Sequence, residues 1–202
     1  MGKIGIMGGT FNPIHMGHLL LAQYALEENA LDEIWLIPTG CSYMKRADNE
    51  VSAEERYHMT KLAVSENPKM RCMDIEIKRE GYTYTYETLE QLRSCYPQHE
   101  FYFIFGADCL FSIEKWKYPQ KIFESCTIIA AVRSGTSIEK MEQKKAWLEE
   151  IFHAKIILMP FLQLELSSTA IRQRVKEKKS IRYMVPDAVL HYIEEKEFYR
   201  QG

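Results

Sequence analysis

The chain alternates between short apolar runs and segments of helical periodicity, and this alternation limits the folds open to it. Strand-like runs stand at 3–7, 33–38, 70–77, 100–106, 126–132 and 155–160, and helix-like segments stand at 16–29, 52–67, 85–96, 137–152, 168–178 and 186–195. Several strands are apolar at nearly every position, so helices must cover both faces of their sheet. The sequence therefore predicts an α/β protein with a doubly wound, mostly parallel sheet, Rossmann-like in layout, and a small C-terminal helical part.

The length and the charge narrow the class of protein further. A chain of 202 residues suits one domain, here 1–202, with 167–202 as its helical part. The formal net charge is -2, whereas a duplex-binding protein is usually basic, so no nucleic-acid partner is expected. The sequence leaves the oligomeric state open.

Cysteine usage and hydropathy indicate the compartment. The five cysteines are scattered and form no C-x-x-C pair, which predicts neither a disulfide framework nor a zinc knuckle and favours a reducing cytoplasm. The first apolar run is too short for a signal peptide. No window approaches 18 apolar residues, so we expect neither a membrane span nor a membrane partner.

The stretch "GGTFNPIHMGHLLLA", Gly8–Ala22, is the first place where a ligand could bind. It leads from a strand through a glycine turn into a helix N-terminus, which offers free N–H groups and a positive dipole end to an anion. His15 and His18 share a face there. A protonated or hydrogen-donating imidazole would suit a phosphate, and the alternative is a helix cap with two incidental histidines. The other histidines lack ligand spacing, so no metal ligand is expected.

The stretch "ELSSTAIRQRV", 165–175, is the second candidate. A Ser-Ser-Thr cluster opens a predicted helix, and Arg172 follows one turn later. One interpretation is a helix N-cap. The other is an anion site, in which hydroxyls, free amides and a guanidinium bind phosphate oxygens.

Together, "GTFNPIHMGH" and "SSTAIR" resemble the signature pair of the nucleotidyltransferase superfamily that carries the H-x-G-H motif, here His15-Met16-Gly17-His18. The form "GGTFNPIHMGHL" is most similar to the nicotinate-nucleotide adenylyltransferases. The resemblance continues in order through "IWLIPTG", "SAEERYHM", "GYTYTYETL", "FIFGAD" and "KW", and so covers nearly the whole chain.

This resemblance implies a reaction in NAD biosynthesis. The enzyme would transfer AMP from ATP to nicotinate mononucleotide, giving nicotinate adenine dinucleotide and pyrophosphate. ATP and nicotinate mononucleotide would be the substrates, with Mg²⁺ accompanying ATP as the cofactor.

The resemblance also assigns roles to residues of the ATP site. His15, His18 and Arg172 would be catalytic through the phosphates, and the carboxylate of Asp108, in Gly106-Ala107-Asp108, would bind a ribose unless it is merely a helix N-cap. The implied ATP-binding residues are Gly8, Gly9, Thr10, Phe11, His15, His18, Gly106, Asp108, Ser167, Ser168, Thr169 and Arg172.

For the mononucleotide, the resemblance implies Lys45, Thr85, Thr88, Trp116 and Lys117. Thr85 would face the substituent of the pyridine ring, and Trp116 would stack on that ring unless it is a core aromatic. Two positions depart from the family: relatives usually carry P-P-H-K where this chain has Ser42-Tyr43-Met44-Lys45, and an aromatic residue or histidine often replaces Lys117. Both departures lie near the acceptor pocket.

Other functions remain as alternatives. The acceptor could be nicotinamide mononucleotide or phosphopantetheine. The chain could also be a non-catalytic nucleotide-binding relative, although the intact His18, Asp108 and Arg172 argue against this interpretation.

Overall fold

The structure is a computed structural model, and it describes residues 1–42, 51–133, 137–162 and 164–200. Lys45 and most of the departure at 42–45 lie outside these described residues. The strands are β1 (Lys3–Gly9), β2 (Glu33–Pro38), β3 (Cys41–Ser42), β4 (Met70–Cys72), β5 (Tyr82–Thr83), β6 (Glu100–Gly106), β7 (Thr127–Arg133) and β8 (Ile156–Phe161). The helices are α1 (Met16–Glu28), α2 (Ala53–Val64), α3 (Thr85–Cys95), α4 (Ala107–Leu110), α5 (Pro119–Ser125), α6 (Ile138–Phe152), α7 (Ser168–Lys176) and α8 (Asp187–Glu195), with a 3-10 helix at Ile113–Lys115.

Six of the described strands form one sheet in the order β4-β2-β1-β6-β7-β8, and β3 and β5 form a separate two-stranded sheet. The pairs β1–β6, β6–β7 and β7–β8 are parallel, with Lys3 opposite Glu100 and Ile128 opposite Ile156. Consecutive parallel strands are joined by helices, as parallel pairing requires. The predicted α/β class with a mostly parallel, doubly wound sheet is confirmed.

The strands of the sheet consist largely of apolar residues, which are buried in the structure. In β2 every residue from Ile34 to Pro38 is buried, and β6 buries Phe101, Phe103, Ile104 and Phe105. Burial of this kind stabilises by roughly 25 cal/mol per Å² of apolar surface removed from water. The near-continuous apolar runs therefore predicted these two strands with their observed bounds.

One predicted strand is mostly wrong. The run 70–77 forms a strand only at Met70–Cys72, because the chain then turns: the N–H of Lys78 donates to the carbonyl of Asp74 at 3.0 Å, and their side chains form an ion pair at 2.8 Å. Two short parallel strands, β3 and β5, were not expected, and in β5 only Thr83 is buried. A strand of two residues is too short to show the alternation of apolar and polar residues by which strands are predicted.

Serine residues begin several helices. The Ser52 hydroxyl accepts from the N–H of Glu55 at 3.1 Å, as the capping box predicts. The reciprocal half of that box is not formed, because the Glu55 carboxylate accepts from the Tyr192 hydroxyl instead. Pro186 is the N-cap of α8, immediately before its first helical residue.

The chain divides into two compact units. The first comprises Met1–Gly8, Leu21–Trp35 and Tyr84–Gln163, and the second comprises Gly9–Leu20, Leu36–Thr83 and Leu164–Gly202. Within the residues the structure describes, none of the helices is both long and apolar enough to cross a membrane.

Candidate functional site

The turn after β1 begins the candidate site. β1 continues through Gly8 and Gly9 rather than stopping at Met7 as the sequence suggested. A Cβ on Gly9 would lie 2.8 Å from Cε1 of Phe11, so only glycine fits beside that ring. Phe11 is itself buried and has φ +47°, a left-handed conformation that costs a residue with a side chain on the order of 1–3 kcal/mol.

The two histidines of the motif stack on each other. Their ring centroids are 3.6 Å apart with an interplanar angle of 24°, and the edge of Phe11 meets His18 at 5.0 Å between centroids. The main-chain N–H of His15 donates to Nδ1 of His18 at 3.3 Å. A main-chain N–H can only donate, so Nδ1 of His18 is the acceptor and the ring hydrogen lies on Nε2.

His15 differs from His18 in its surroundings. It is only 5% exposed, and this burial lowers the pKa of His15 to about 4. Its Nδ1 has no hydrogen-bond partner among the described residues. Burial therefore favours the neutral imidazole of His15 over the protonated form in the ligand-free protein.

Gly17, between the histidines, makes the stacked arrangement possible. A Cβ at this position would lie 3.1 Å from both Cε1 and Nδ1 of His15. A side chain would therefore push the His15 ring away from its place in the stack.

Side chains from α7 and from Tyr199 hold the Thr10–Pro13 loop, hereafter the 10–13 loop. Arg172 donates from Nη1 to the Asn12 carbonyl at 2.8 Å, and the Ser168 hydroxyl donates to the Pro13 carbonyl at 2.8 Å. The hydroxyl of Tyr199 donates to Oδ1 of Asn12 at 2.5 Å. The two stretches singled out in the sequence are thus joined within the second unit.

The start of α7 combines a cap with these contacts. Ser167 is the N-cap, and its hydroxyl accepts from the N–H of Ala170 at 3.2 Å, which confirms the cap interpretation for this residue. Thr169 accepts from Nη2 of Arg172 at 3.4 Å. Whether Ser167, Ser168 and Thr169 also bind phosphate stays a prediction.

Arg56 is a site residue that the sequence reasoning missed. It is 1% exposed, and it donates to the carbonyls of Thr10 at 2.6 Å, Thr39 at 2.7 Å and Gly40 at 3.2 Å. Burial lowers the pKa of Arg56 from its ordinary value. The sequence offered little signal for this role, because the i, i+3, i+4 spacing places Arg56 with Met59 and Thr60 on one face of α2, but the structure is needed to show that this face is buried.

The first unit holds the predicted ribose-binding residue. β6 ends at Gly106, and Asp108 lies exposed in the first turn of α4, at the carboxyl end of the strand where ligands of such sheets bind. The N-cap of α4 is Gly106, so the alternative that Asp108 is the cap is wrong.

The predicted mononucleotide residues also lie in the first unit. Trp116 is half-buried, with its ring 6.2 Å from the rings of both Phe103 and Phe105. Thr85 begins α3, whereas Thr88 is buried one turn further and donates to the Tyr84 carbonyl at 3.4 Å. A ligand role for either threonine stays a prediction.

Lys117 contacts an aromatic ring next to Thr85. Its Nζ lies 3.8 Å from the centroid of the Tyr84 ring, a cation–π distance. The ammonium is therefore positioned near the start of α3.

Metal ligands are not gathered anywhere in the described part of the chain. No group of three or more His, Cys, Asp or Glu side chains there could hold an ion.

The parallel sheet, the loop at a strand end and the paired histidines at a helix N-terminus define a nucleotidyltransferase-type α/β protein. The Cytidylyltransferase-like family matches residues 6–174. The chain belongs to this family, within the group of nicotinate-nucleotide adenylyltransferases.

Individual relatives cover the whole chain. A protein of Lachnoclostridium phytofermentans named "Probable nicotinate-nucleotide adenylyltransferase" is 46% identical over 98% of this chain and 100% of its own. One of Oceanobacillus iheyensis with the same name is 39% identical over 100% of this chain and 99% of its own. The structure of Plasmodium falciparum nicotinic acid mononucleotide adenylyltransferase complexed with NaAD has a TM-score of 0.80 at 23% identity, covering 98% of each chain, and supports the fold.

Proposed function

We propose that this protein transfers AMP from ATP to nicotinate mononucleotide, producing nicotinate adenine dinucleotide and pyrophosphate as a step of NAD biosynthesis. The full-length relatives carry the name of this activity. The observation on the chain itself that carries the proposal is the pairing of His15 and His18 at the N-terminus of α1. Free cysteines at the five positions are consistent with a cytoplasmic reaction.

The reaction needs little acid–base help. The acceptor phosphate is mostly dianionic at pH 7, since its second pKa is ~6, so it attacks the α-phosphorus of ATP without a general base. The protein must align two anions and offset the charge that builds up on the α-phosphoryl and on leaving pyrophosphate. A neutral donor at a helix N-terminus suits this task.

His18 is the main donor in this proposal. Its Nε2–H points away from the Nδ1 that accepts from His15, and it donates to a phosphate oxygen as charge accumulates. His15 stacks on that ring and keeps it in place. The N-terminus of α1 adds its unsatisfied N–H groups and its positive dipole end.

The remaining residues bind the two substrates. On the ATP side we propose Gly8, Gly9, Thr10, Phe11, Gly106, Asp108, Ser167, Ser168, Thr169 and Arg172. On the mononucleotide side we propose Lys45, Thr85, Thr88, Trp116 and Lys117. Arg172 contributes a planar fork that suits phosphate oxygens as well as the Asn12 carbonyl.

Mg²⁺ enters with ATP in this proposal. Its preference for oxygen ligands and retained waters fits a site in which triphosphate oxygens supply most ligands, and the described residues offer no acidic cluster of their own. When bound, the ion neutralises part of the triphosphate charge. Addition of a chelator should abolish turnover, and excess Mg²⁺ should restore it.

One assay tests the proposed function. Purified protein, ATP and Mg²⁺ are combined in parallel with nicotinate mononucleotide, nicotinamide mononucleotide or phosphopantetheine, and pyrophosphate and the new dinucleotide are measured. Product with nicotinate mononucleotide as the best acceptor supports the proposal. A better acceptor among the other two would reassign the substrate, and no product with any of them would support a non-catalytic nucleotide-binding protein.

A further inference from the structure

Arg56 is a buried charge whose acceptors are main-chain carbonyls. Burying a guanidinium is costly unless its N–H groups find partners. Its Nη atoms donate to the carbonyls of Thr10, Thr39 and Gly40, none of which is a carboxylate, and its buried Nε has no hydrogen-bond partner among the described residues. Replacing Arg56 by an apolar residue would leave these carbonyls without their donor, so the arginine also supports the fold. Its position has a second effect, on the candidate site.

The carbonyl of Thr10 belongs to the same peptide unit as the N–H of Phe11. In a planar trans peptide the C=O and N–H bonds point in opposite directions. Because Arg56 holds the Thr10 carbonyl at 2.6 Å, it also fixes the direction of the Phe11 N–H, which points away from the guanidinium. A hydrogen bond from a charged donor also polarises the peptide and strengthens that N–H as a donor.

The conformation of Phe11 supports the same view. A residue with a side chain stays at a φ of +47° only where its surroundings over-determine it. Arg56 provides one of those constraints from α2, while Arg172 and Ser168 provide others from α7 at the carbonyls of Asn12 and Pro13. Arg56 alone of these three also bonds the turn after β2, at Thr39 and Gly40.

We propose that Arg56 is a positioning residue, which fixes the 10–13 loop so that the Phe11 N–H is directed at a phosphate of ATP before ATP binds. The inference rests on the proposed function, because it concerns the same nucleotide site. Arg56 itself touches no substrate. Its effect is on ATP affinity and on turnover, and not on the affinity for the acceptor mononucleotide.

The test compares Arg56→Lys with wild type. Lysine keeps the positive charge, but its single ammonium cannot reach the carbonyls of both turns as a planar fork does. Arg93→Lys is the matched control, because Arg93 also donates to a main-chain carbonyl, that of Glu124 at 2.6 Å, but is exposed and belongs to α3. For each protein, Kd for ATP is measured by calorimetry, kcat and KM for both substrates by pyrophosphate release, and Tm by calorimetric scanning.

We expect Arg56→Lys to weaken Kd for ATP about 10-fold and to lower kcat/KM for ATP by about 10- to 100-fold, as for a small misplacement of a positioning group. KM for the mononucleotide should stay within about twofold, and Arg93→Lys should match wild type in all constants. A folded Arg56→Lys protein with wild-type ATP affinity and kcat would overturn the inference. Equal losses for both substrates would also overturn it, since that result indicates a general loss of structure.

Two further measurements keep the test decisive if Arg56→Lys is unstable. Arg56→Met removes the charge with similar volume, and a folded methionine variant with wild-type ATP affinity would contradict the role. In the wild type without ATP, the backbone order parameter of the Phe11 amide should be about 0.85, that of rigid backbone, and a value below about 0.6 would overturn pre-positioning. If the wild type binds ATP but forms no product, the proposed function is refuted. The inference about Arg56 is still tested in that case, because the ATP affinities of wild type and variants can be compared.

Discussion

The main-chain N–H of His15 donates to Nδ1 of His18 at 3.3 Å, and the two rings stack with centroids 3.6 Å apart. This relationship fixes both the tautomer and the plane of His18. Because the hydrogen then lies on Nε2, His18 is a donor with one defined direction.

Replacing His18 tests this donor. We predict that His18→Ala lowers kcat by roughly 10²–10³, the loss typical of one pre-positioned transition-state donor, while the protein stays folded. His191→Ala is the control, because His191 is exposed on α8. Retention of most of the wild-type kcat in the His18 variant would refute the phosphate role.

The burial of His15 predicts a pH dependence of stability. The pKa of His15 is about 4 in the folded protein, against 6.5 for an ordinary histidine, so folding favours the neutral ring. The contribution of His15 to the free energy of unfolding is therefore fully present above pH 6.5 and is lost as the pH falls from there to about 4. The total loss is at most about 3 kcal/mol. Urea unfolding of wild type and His15→Gln at pH 7, 5.5 and 4 measures the difference. If the free energy of unfolding changes with pH in the same way for the two proteins, the prediction is contradicted.

Gly17 should separate activity from stability. In Gly17→Ala the new Cβ lies 3.1 Å from the His15 ring, which must move by a few tenths of an ångström. We expect kcat to fall about 10-fold through the displaced stack. Tm should change little, because alanine favours a helix by about 1 kcal/mol over glycine and offsets the close contact. A variant with wild-type kcat would show that the stack is not needed.

Arg172 should not tolerate lysine. Its guanidinium bonds the Asn12 carbonyl and Thr169 while presenting a planar fork, and an ammonium cannot make these contacts together. We predict at least a 10-fold loss in kcat/KM for ATP in Arg172→Lys. Arg174→Lys is the control, because Arg174 lies two residues on and donates to the Ser180 carbonyl instead of to the 10–13 loop. Equal values of kcat/KM for ATP in the two variants would show that Arg172 has no specific role in ATP binding or turnover.

Lys117 should influence acceptor choice. Its ammonium lies over Tyr84, beside Thr85, where it could attract the carboxylate of nicotinate but not the amide of nicotinamide. We expect wild type to prefer nicotinate mononucleotide by about 10-fold or more in kcat/KM, and Lys117→Ala to reduce that ratio. Trp116→Ala, which removes stacking only, should weaken both acceptors about equally. An unchanged ratio in Lys117→Ala would exclude Lys117 from recognition.

The fold was predictable where burial imposes a clear pattern. β2 and β6 are apolar along their length, and their observed bounds agree with those read from the sequence. The run 73–77 alternates apolar and acidic residues, and an ion pair and a turn at Asp74–Lys78 compete with the strand. The sequence of a short segment does not show whether a turn or a strand is more stable there, because the neighbouring strand that would pair with it comes from a distant part of the chain.

The site was predictable where its chemistry is local in sequence. The glycine turn and the two histidines lie within a few residues, and their spacing alone places them at a helix start. Arg56 and Tyr199 reach the same loop from 46 and 187 residues away, so no spacing rule connects them to it. Arg56 donates to a backbone carbonyl and Tyr199 to the side-chain oxygen of Asn12, and neither long-range pairing leaves a pattern in the amino-acid sequence.

The hydrogen bond from Tyr199 to Asn12 can form only after nearly the whole chain has been synthesised. A ribosome adding about 5–20 residues per second needs on the order of 10–40 s to advance from residue 12 to residue 199. For most of that time the emerging loop lacks Arg172, and for all of it the loop lacks Tyr199. A polypeptide interrupted between α1 and α7 would carry the complete histidine motif without these two side chains, so its loop can make the observed contacts only when translation is nearly finished.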